Sequence, residues 1–359
     1  MTKKSTIKAR ALLALMLVCG AAVLSAHGYE YIAEQSDALF FADETPLRED
    51  VCATEYVLGI SYAPGAPGAL ENSLPIYEQN YAEISRYIPQ PIFPPAYVAI
   101  SDCYAAQLAC FTYLTRNIFL ADPRTRLLET DVCAAEFLAK DFAIDLSSGP
   151  QVLIVHAHSM EMFADSNPSD KFTGVLGVGR KLAEVLERDH GLQVYHHLGR
   201  FDVVAGIPNR QGSYERLEPA VRRILADNPS IQVVIDLHRD GVGPHVQPMV
   251  SYVNGERAAQ IMFVNGLSRR YRNGVIQTVY HLPNPYQREN LAFSFNLQLA
   301  ANQMFPGLAR RIYLLEFRYS LHMAPRSILL EVGAQNNTLQ EALNAVPHVA
   351  EILAAVVLA

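Results

Sequence analysis

Positive charge is scarce in this 359-residue chain: 29 Lys and Arg stand against 36 Asp and Glu, a formal net charge of −7. Four of the positive residues, Lys3, Lys4, Lys8 and Arg10, crowd the first ten positions, so the remainder is more acidic still. That balance disfavours nucleic acid as a partner, because a polyanion is held by basic surface. Cysteine is sparse, five residues with no C-x-x-C pair, which weakens a thiolate zinc site. No G-x-S-x-G elbow occurs and the cysteines lie upstream of the regular half, so a serine or cysteine nucleophile is poorly supported. Tryptophan is absent, which decides nothing. Neither an internal repeat nor a low-complexity tract is present. Beyond the N-terminal segment, no apolar run is long enough to span a bilayer.

That segment is informative. Behind the basic residues 1–10, the uncharged stretch Ala11 to Ala26 is rich in Leu, Val and Ala, the pattern of an export signal or a signal anchor. Counted to Tyr29 it approaches the ~20 residues a spanning helix needs. Val23-Leu24-Ser25 offers a small-residue cut site, while Val18 before Cys19 is bulkier than lipidation prefers. Whichever way this end is processed, the bulk of the chain is expected outside the cytoplasm, attached to the membrane by the N-terminal segment or released from it. In an exported segment, Cys52, Cys103, Cys110 and Cys133 permit three pairings of two disulfides, or stand as buried thiols.

Half of the chain is hydrophobic and 18% is charged, ample for a packed core. Residues 27–50 are polar and acidic, a tether. Residues 61–95 carry Pro64, Pro67, Pro75, Pro89, Pro91, Pro94 and Pro95 and read as loop or linker. Between Ala96 and Leu146 come helical or strand-like pieces of uncertain type, closed by the turn-rich Asp145-Leu146-Ser147-Ser148-Gly149-Pro150. The organisation expected is therefore residues 1–28 as signal or anchor, 29–145 as tether and small cysteine-containing region, and 146–359 as a catalytic α/β domain.

From Gln151 onward strands alternate with helices. Val152 to Val155 is a buried strand. Val178, Leu182, Val185 and Leu186 form one stripe of a helix over Gly174 to His190 that stops at Gly191. Gln193–Tyr195 is a short strand, Tyr214, Leu217, Val221 and Leu225 mark a second helix, and Ile231–Leu237 and Gln260–Val264 are strands. Pro285 opens a helix with Leu291, Phe295 and Leu299 at helical spacing. Ile312–Leu315 and Ile328–Val332 are further strands, and the capping box Thr338-x-x-Glu341 starts a last helix. Near-continuous apolar strands between amphipathic helices predict a mainly parallel sheet flanked by helices on both faces.

Three of those strands run straight into chemistry. The first ends as His156-Ala157-His158-Ser159-Met160-Glu161, another as Asp236-Leu237-His238-Arg239-Asp240, and a third at Glu331-Val332-Gly333. Ligands of open α/β sheets sit at strand ends. His158, Glu161 and His238 make two imidazoles and a carboxylate, the ligand set of a catalytic zinc with one open position. Glu331 is the further acid such a site needs as general base. His156 competes with His158 for the first ligand position. Arg216 and Arg239 are candidate clamps for substrate carboxylates, since a guanidinium pairs with a carboxylate bidentately, or else ordinary salt-bridge partners.

These residues fall in motifs that resemble a known family. His156-Ala-His158-Ser-Met-Glu161, Val178-Gly179-Arg-Lys-Leu182, Gly212-Ser213-Tyr214-Glu-Arg216, Ile235-Asp-Leu-His238-Arg239-Asp240, Glu289-Asn290-Leu291-Ala292-Phe293 and Leu330-Glu331-Val332-Gly333 look like stage II sporulation protein P. The resemblance runs in order over about residues 141–357 and extends, more distantly, to zinc-dependent N-acetylmuramoyl-L-alanine amidases. It implies an amidase-like fold and a membrane-anchored peptidoglycan hydrolase that cuts between N-acetylmuramic acid and L-alanine, with endopeptidase action on cross-links also attributed to the family. The setting it implies is septal wall thinning during engulfment, with stage II sporulation proteins D and M as partners. Carried onto this chain, His158 and His238 are zinc ligands and Glu331 the general base; Glu161 as third ligand rests on spacing. His322 also matches a family position, steadying oxyanion or substrate, or supporting from behind the ligands. The resemblance leaves the first 140 residues uncovered.

Two rival readings remain at this point. A zinc carboxypeptidase-like enzyme uses a similar set of residues on free peptide ends. A non-catalytic wall-binding module predicts no bound zinc.

Overall fold

A seven-stranded sheet organises the protein. The computed structural model describes residues 100–359 apart from Pro244, all within the compact unit Ser73–Ala359. The expected anchor over 1–28, the tether, the proline-rich stretch and Cys52 lie outside the described residues. In chain order the elements are α1 (Asp102–Leu108), α2 (Phe111–Asn117), β1 (Phe119–Ala121), α3 (Ala134–Leu138), β2 (Val152–Val155), α4 (Val175–His190), β3 (Val194–His196), β4 (Val203–Val204), β5 (Ile207–Pro208), α5 (Ser213–Asp227), β6 (Val233–Asp240), β7 (Val250–Val253), β8 (Glu256–Ala259), β9 (Ile261–Gly266), β10 (Arg269–Arg272), β11 (Val275–Thr278), α6 (Gln287–Met304), β12 (Ile312–Leu315), β13 (Ser327–Ala334) and α7 (Leu339–Val357).

The sheet runs β1-β12-β9-β13-β6-β2-β3. Strands β3, β2, β6 and β13 are parallel to one another, as are β9, β12 and β1. The two sets meet antiparallel at β13 and β9. The sheet is thus mainly parallel, with one reversal that the apolar pattern does not reveal. β4–β5, β7–β8 and β10–β11 are separate hairpins. The sheet also takes in β1, upstream of the boundary expected at residue 145, because Phe119–Ala121 pairs with Ile312–Leu314.

Alternation within each strand assigns the two faces. Val152, Ile154, Val233, Ile235, Leu237, Ile328 and Leu330 pack on one side in a core completed by α4, α6, α7 and the short helices α1–α3. Phe119, Phe137, Phe263, Phe293 and Phe295 are wholly buried there, each contributing roughly 1.5–3 kcal/mol over an exposed ring. On the other side Leu153, Val155 and Val234 meet Leu217, Val221 and Ile224 of α5. Over β9 and β13 that second face is closed by Leu321 and Tyr319 rather than by a helix.

Local signals account for the long helices. α4 ends at Gly191, whose φ of 68° is the left-handed conformation a glycine adopts freely. α7 begins with the expected capping box between Thr338 and Glu341. α6 is buried all round from Asn290 to Ala301, and its polar side chains are bonded accordingly. Asn290 donates to Leu321 O and accepts from Ser327 N, tying the 319–322 turn to the start of β13. Cys103, Cys110 and Cys133 are exposed and free, so burial does not hold for these thiols and no disulfide joins any two of them. Among the described residues no helix is long and apolar enough to cross a membrane.

Candidate metal centre

The site forms where β2, β6 and β13 end side by side. In register, Val155 faces Asp236, and Glu331 faces His238. The turn after β2 is held at two points. Asp236, buried in β6, accepts from Ala157 N at 2.9 Å. Asp202 accepts from Ser159 Oγ at 2.6 Å and from Met160 N at 2.9 Å. Between these clamps the His158 ring lies against His238 of β6, and Glu161 follows with its N–H donating to His158 O.

His158, Glu161 and His238 each offer a ligand atom within 4.8 Å of the others. The two rings stand 5.1 Å apart, edge to face. Glu161 is nearly fully buried: one oxygen lies 3.2 Å from His238 Nδ1 and accepts from Arg239 N at 3.1 Å. The other accepts from Arg210 Nη2 at 2.8 Å and lies 3.5 Å from His158 Nδ1. On its far nitrogen His238 meets Asp236 at 2.8 Å, and Asp236 in turn accepts from Ser320 Oγ at 2.7 Å. This is the carboxylate that orients a ligating imidazole from behind.

Burial dominates the electrostatics, and neighbouring charges decide its sign. It works against the His238 imidazolium, but Asp236 and Glu161 on either side outweigh it and hold the ring well above its ordinary range. Burial likewise raises Glu161, yet the charge of His238 and the polar contacts with both rings keep it well below the usual carboxylate range. Glu331 differs. Burial, added to the charges of Glu161 and Asp240, pushes it up to about 8 despite His238, and its Oε2 has no hydrogen-bond partner. A buried carboxylate oxygen without a donor, beside two imidazoles and a second carboxylate, suits a cation with a polar molecule next to it. On that chemistry the residues present fit a zinc ion.

The other residues singled out in the sequence lie elsewhere. His156 turns away from His158, because the chain leaves the strand at Val155 and alternation ends there. Its Nδ1 donates to Leu237 O at 2.8 Å, which leaves Nε2 to accept from His196 at 2.9 Å. Burial and the neighbouring His196 hold it neutral, down to about 3. Arg216 donates to Phe201 O, Gln211 O and Asn209 O at 2.6–2.9 Å and so braces the 201–211 loop. Arg239 donates from its side chain to Met162 O and Asp240 O. His322 sits 3.0 Å from Tyr319 O and 3.0 Å from Glu218. None of these is at the ligand cluster by its side chain. Asp236, Asp202, Ser320 and Arg210 are functional neighbours that sequence reasoning missed. Only Asp236 carried a signal, as an acid two residues before a histidine and hence on the same strand face.

Residues 132–354 match the family model "Stage II sporulation protein P (SpoIIP)". Stage II sporulation protein P of Bacillus subtilis (strain 168) is 25% identical over 149 residues, 40% of this chain and 33% of that protein. The chain thus matches about a third of the length of this curated relative. Among solved structures, N-acetylmuramoyl-L-alanine amidase AmiC2 of Nostoc punctiforme is similar at 16% identity and a TM-score of 0.33, covering 58% of this chain and 95% of that one. The CwlD amidase from Clostridioides difficile, solved in complex with the GerS lipoprotein, is similar at 14% identity and a TM-score of 0.34, covering 57% and 94%.

Proposed function

The chain belongs to the stage II sporulation protein P family, and from that premise we propose that it is a zinc-dependent peptidoglycan hydrolase cutting the amide between N-acetylmuramic acid and L-alanine. The observation carrying this reading is the convergence of His158, Glu161 and His238 within 4.8 Å beside the unpartnered carboxylate of Glu331. His158, Glu161 and His238 hold the ion. A zinc ion held there would supply Lewis acidity and lower the pKa of a water molecule toward neutrality.

The chain's own groups do the rest. Glu331 takes the proton of the attacking water and returns it to the leaving amine; a value raised to about 8 suits a group that must accept and give up a proton near neutrality. Asp236 keeps the His238 ring turned toward the ion. Arg239 fixes Glu161 through its backbone N–H. His322, engaged by Tyr319 O and Glu218, steadies the 319–322 turn that carries Ser320 to Asp236. Arg216 acts on substrate indirectly, through the loop it braces. On this reading the enzyme works outside the cytoplasm, held at the membrane by its N-terminal segment, on the sporulation septum during engulfment with stage II sporulation proteins D and M as partners.

The test is digestion of purified sacculi with and without a chelator, followed by identification of the new termini. Chelator-sensitive release of intact stem peptides with a free L-alanine amine is expected. New termini inside cross-links give an endopeptidase, and trimming of free peptide ends a carboxypeptidase. No new termini and no bound zinc leave a wall-binding module.

A further inference from the structure

The ligand cluster already holds a cation belonging to the chain. Arg210 Nη2 lies 2.8 Å from His158 Nδ1 and 2.8 Å from Glu161 Oε1. A guanidinium is donor only, so both contacts use electron pairs of their partners. The His158 nitrogen therefore presents its lone pair to Arg210, as Glu161 Oε1 does. These residues are two of the three that hold zinc in the function proposed above, on which this inference rests. An atom cannot give one lone pair to two partners.

We propose that Arg210 is a built-in competitor for the metal: its guanidinium occupies the space between His158 and Glu161, and zinc binds by displacing it. The local backbone favours such a device. Arg216 holds the carbonyls of Asn209 and Gln211, on either side of Arg210, so residue 210 is anchored while its side chain is free to move. That side chain is 59% exposed, and displacement carries it into solvent rather than into the core. While engaged, it keeps His158 and Glu161 aimed at one point; it also raises the threshold for weakly held divalent ions, which must outcompete a charge-assisted pair of bonds.

Two measurements on the full chain decide the matter. Zinc affinity is read by competition with a chelating dye in the wild type, Arg210→Ala and Arg200→Ala. Arg200 lies on the same loop, touches Met160 Sδ and carries the same charge, so its removal controls for through-space repulsion. If Arg210 fills the site about nine-tenths of the time, Arg210→Ala binds zinc about tenfold more tightly, and Arg200→Ala binds as the wild type does. Separately, phenylglyoxal labelling of Arg210 in the wild type, followed by peptide mass mapping, speeds up several-fold on adding zinc. Equal zinc affinity in wild type and Arg210→Ala, equal gains in both variants, or Arg210 labelling unmoved by zinc overturns the competitor role and leaves the zinc site standing. Failure of all three proteins to bind zinc overturns both.

Discussion

Glu331 and His238 occupy facing register positions on adjacent parallel strands, yet burial prevails at the carboxyl and is outweighed by neighbouring charges at the imidazole. His238 has Asp236 and Glu161 to support its charge, whereas one oxygen of Glu331 has no donor at all. The carboxyl, ordinarily titrating near 4.5, is raised to about 8 in the fold. Between those values the folded chain holds a proton that the unfolded chain has lost. Stability therefore falls as pH rises from about 4.5 to about 8 and then levels off. Glu331→Gln removes that dependence. In the presence of chelator, thermal melts are expected to show the variant gaining over wild type across this window, on the order of 4 kcal/mol at pH 8. Parallel melting curves at every pH contradict the assignment.

The same substitution separates chemistry from metal binding. Glu331→Gln is expected to keep zinc and lose 10²–10⁴-fold in turnover on sacculi, roughly what general-base catalysis contributes. Metal analysis and product release on one preparation check it. Normal turnover removes Glu331 from the mechanism.

Asp236 reaches three elements at once: Ala157 N, His238 Nε2 and Ser320 Oγ. Asp236→Asn keeps the shape but removes the charge behind His238. Zinc affinity is expected to drop about 10–100-fold, the usual cost of losing a carboxylate behind a histidine ligand. Chelator competition measures it, and an unchanged affinity shows that the ring needs no such support.

Gly179 lies under the His156–His196 pair. A Cβ there meets His156 Nε2 at 2.7 Å and His196 Nε2 at 2.9 Å, and His156 is fixed by its bond to Leu237 O. Gly179→Ala is expected to destabilise the fold by about 1–3 kcal/mol, as overpacking does, with zinc affinity held. A melt together with zinc titration tests the separation of this pair from the metal site.

Arg216→Ala releases three carbonyls. Allowing for the partial exposure of these bonds, a loss of about 2 kcal/mol is expected, with faster amide exchange at Asn209 and Ser213. Arg216→Lys cannot reproduce a planar fork and recovers little. Exchange rates unmoved by either change speak against the bracing role.

Much of this was legible in the sequence, for stated reasons. β2, β6 and β13 are apolar runs that stop at His or Glu, so both the strands and their chemical ends show. α4 and α7 announce themselves by a stripe, a terminal Gly191 and a capping box. The antiparallel pairing of β9 with β13 was hidden, because a strand buried on both faces reads the same in either direction. β1, three residues long, is too short for periodicity to register. His156 competes with His158 in the sequence because strand alternation would set both on one face, and alternation holds only while the chain remains a strand. Arg210 was invisible: its contacts depend on how the 201–211 loop folds back, and nothing in the local spacing encodes that.

The reversal between β13 and β9 gives the rim of the centre two kinds of border. On one side strands finish, and the residues at or just past their ends make up the ligand cluster and its neighbouring acid. On the other side strands begin: Met262 lies beside Glu331, and Arg310, just ahead of β12, pairs with Asp240. The segments leading into β9 and β12 thus border the ligand cluster without supplying any of its three residues.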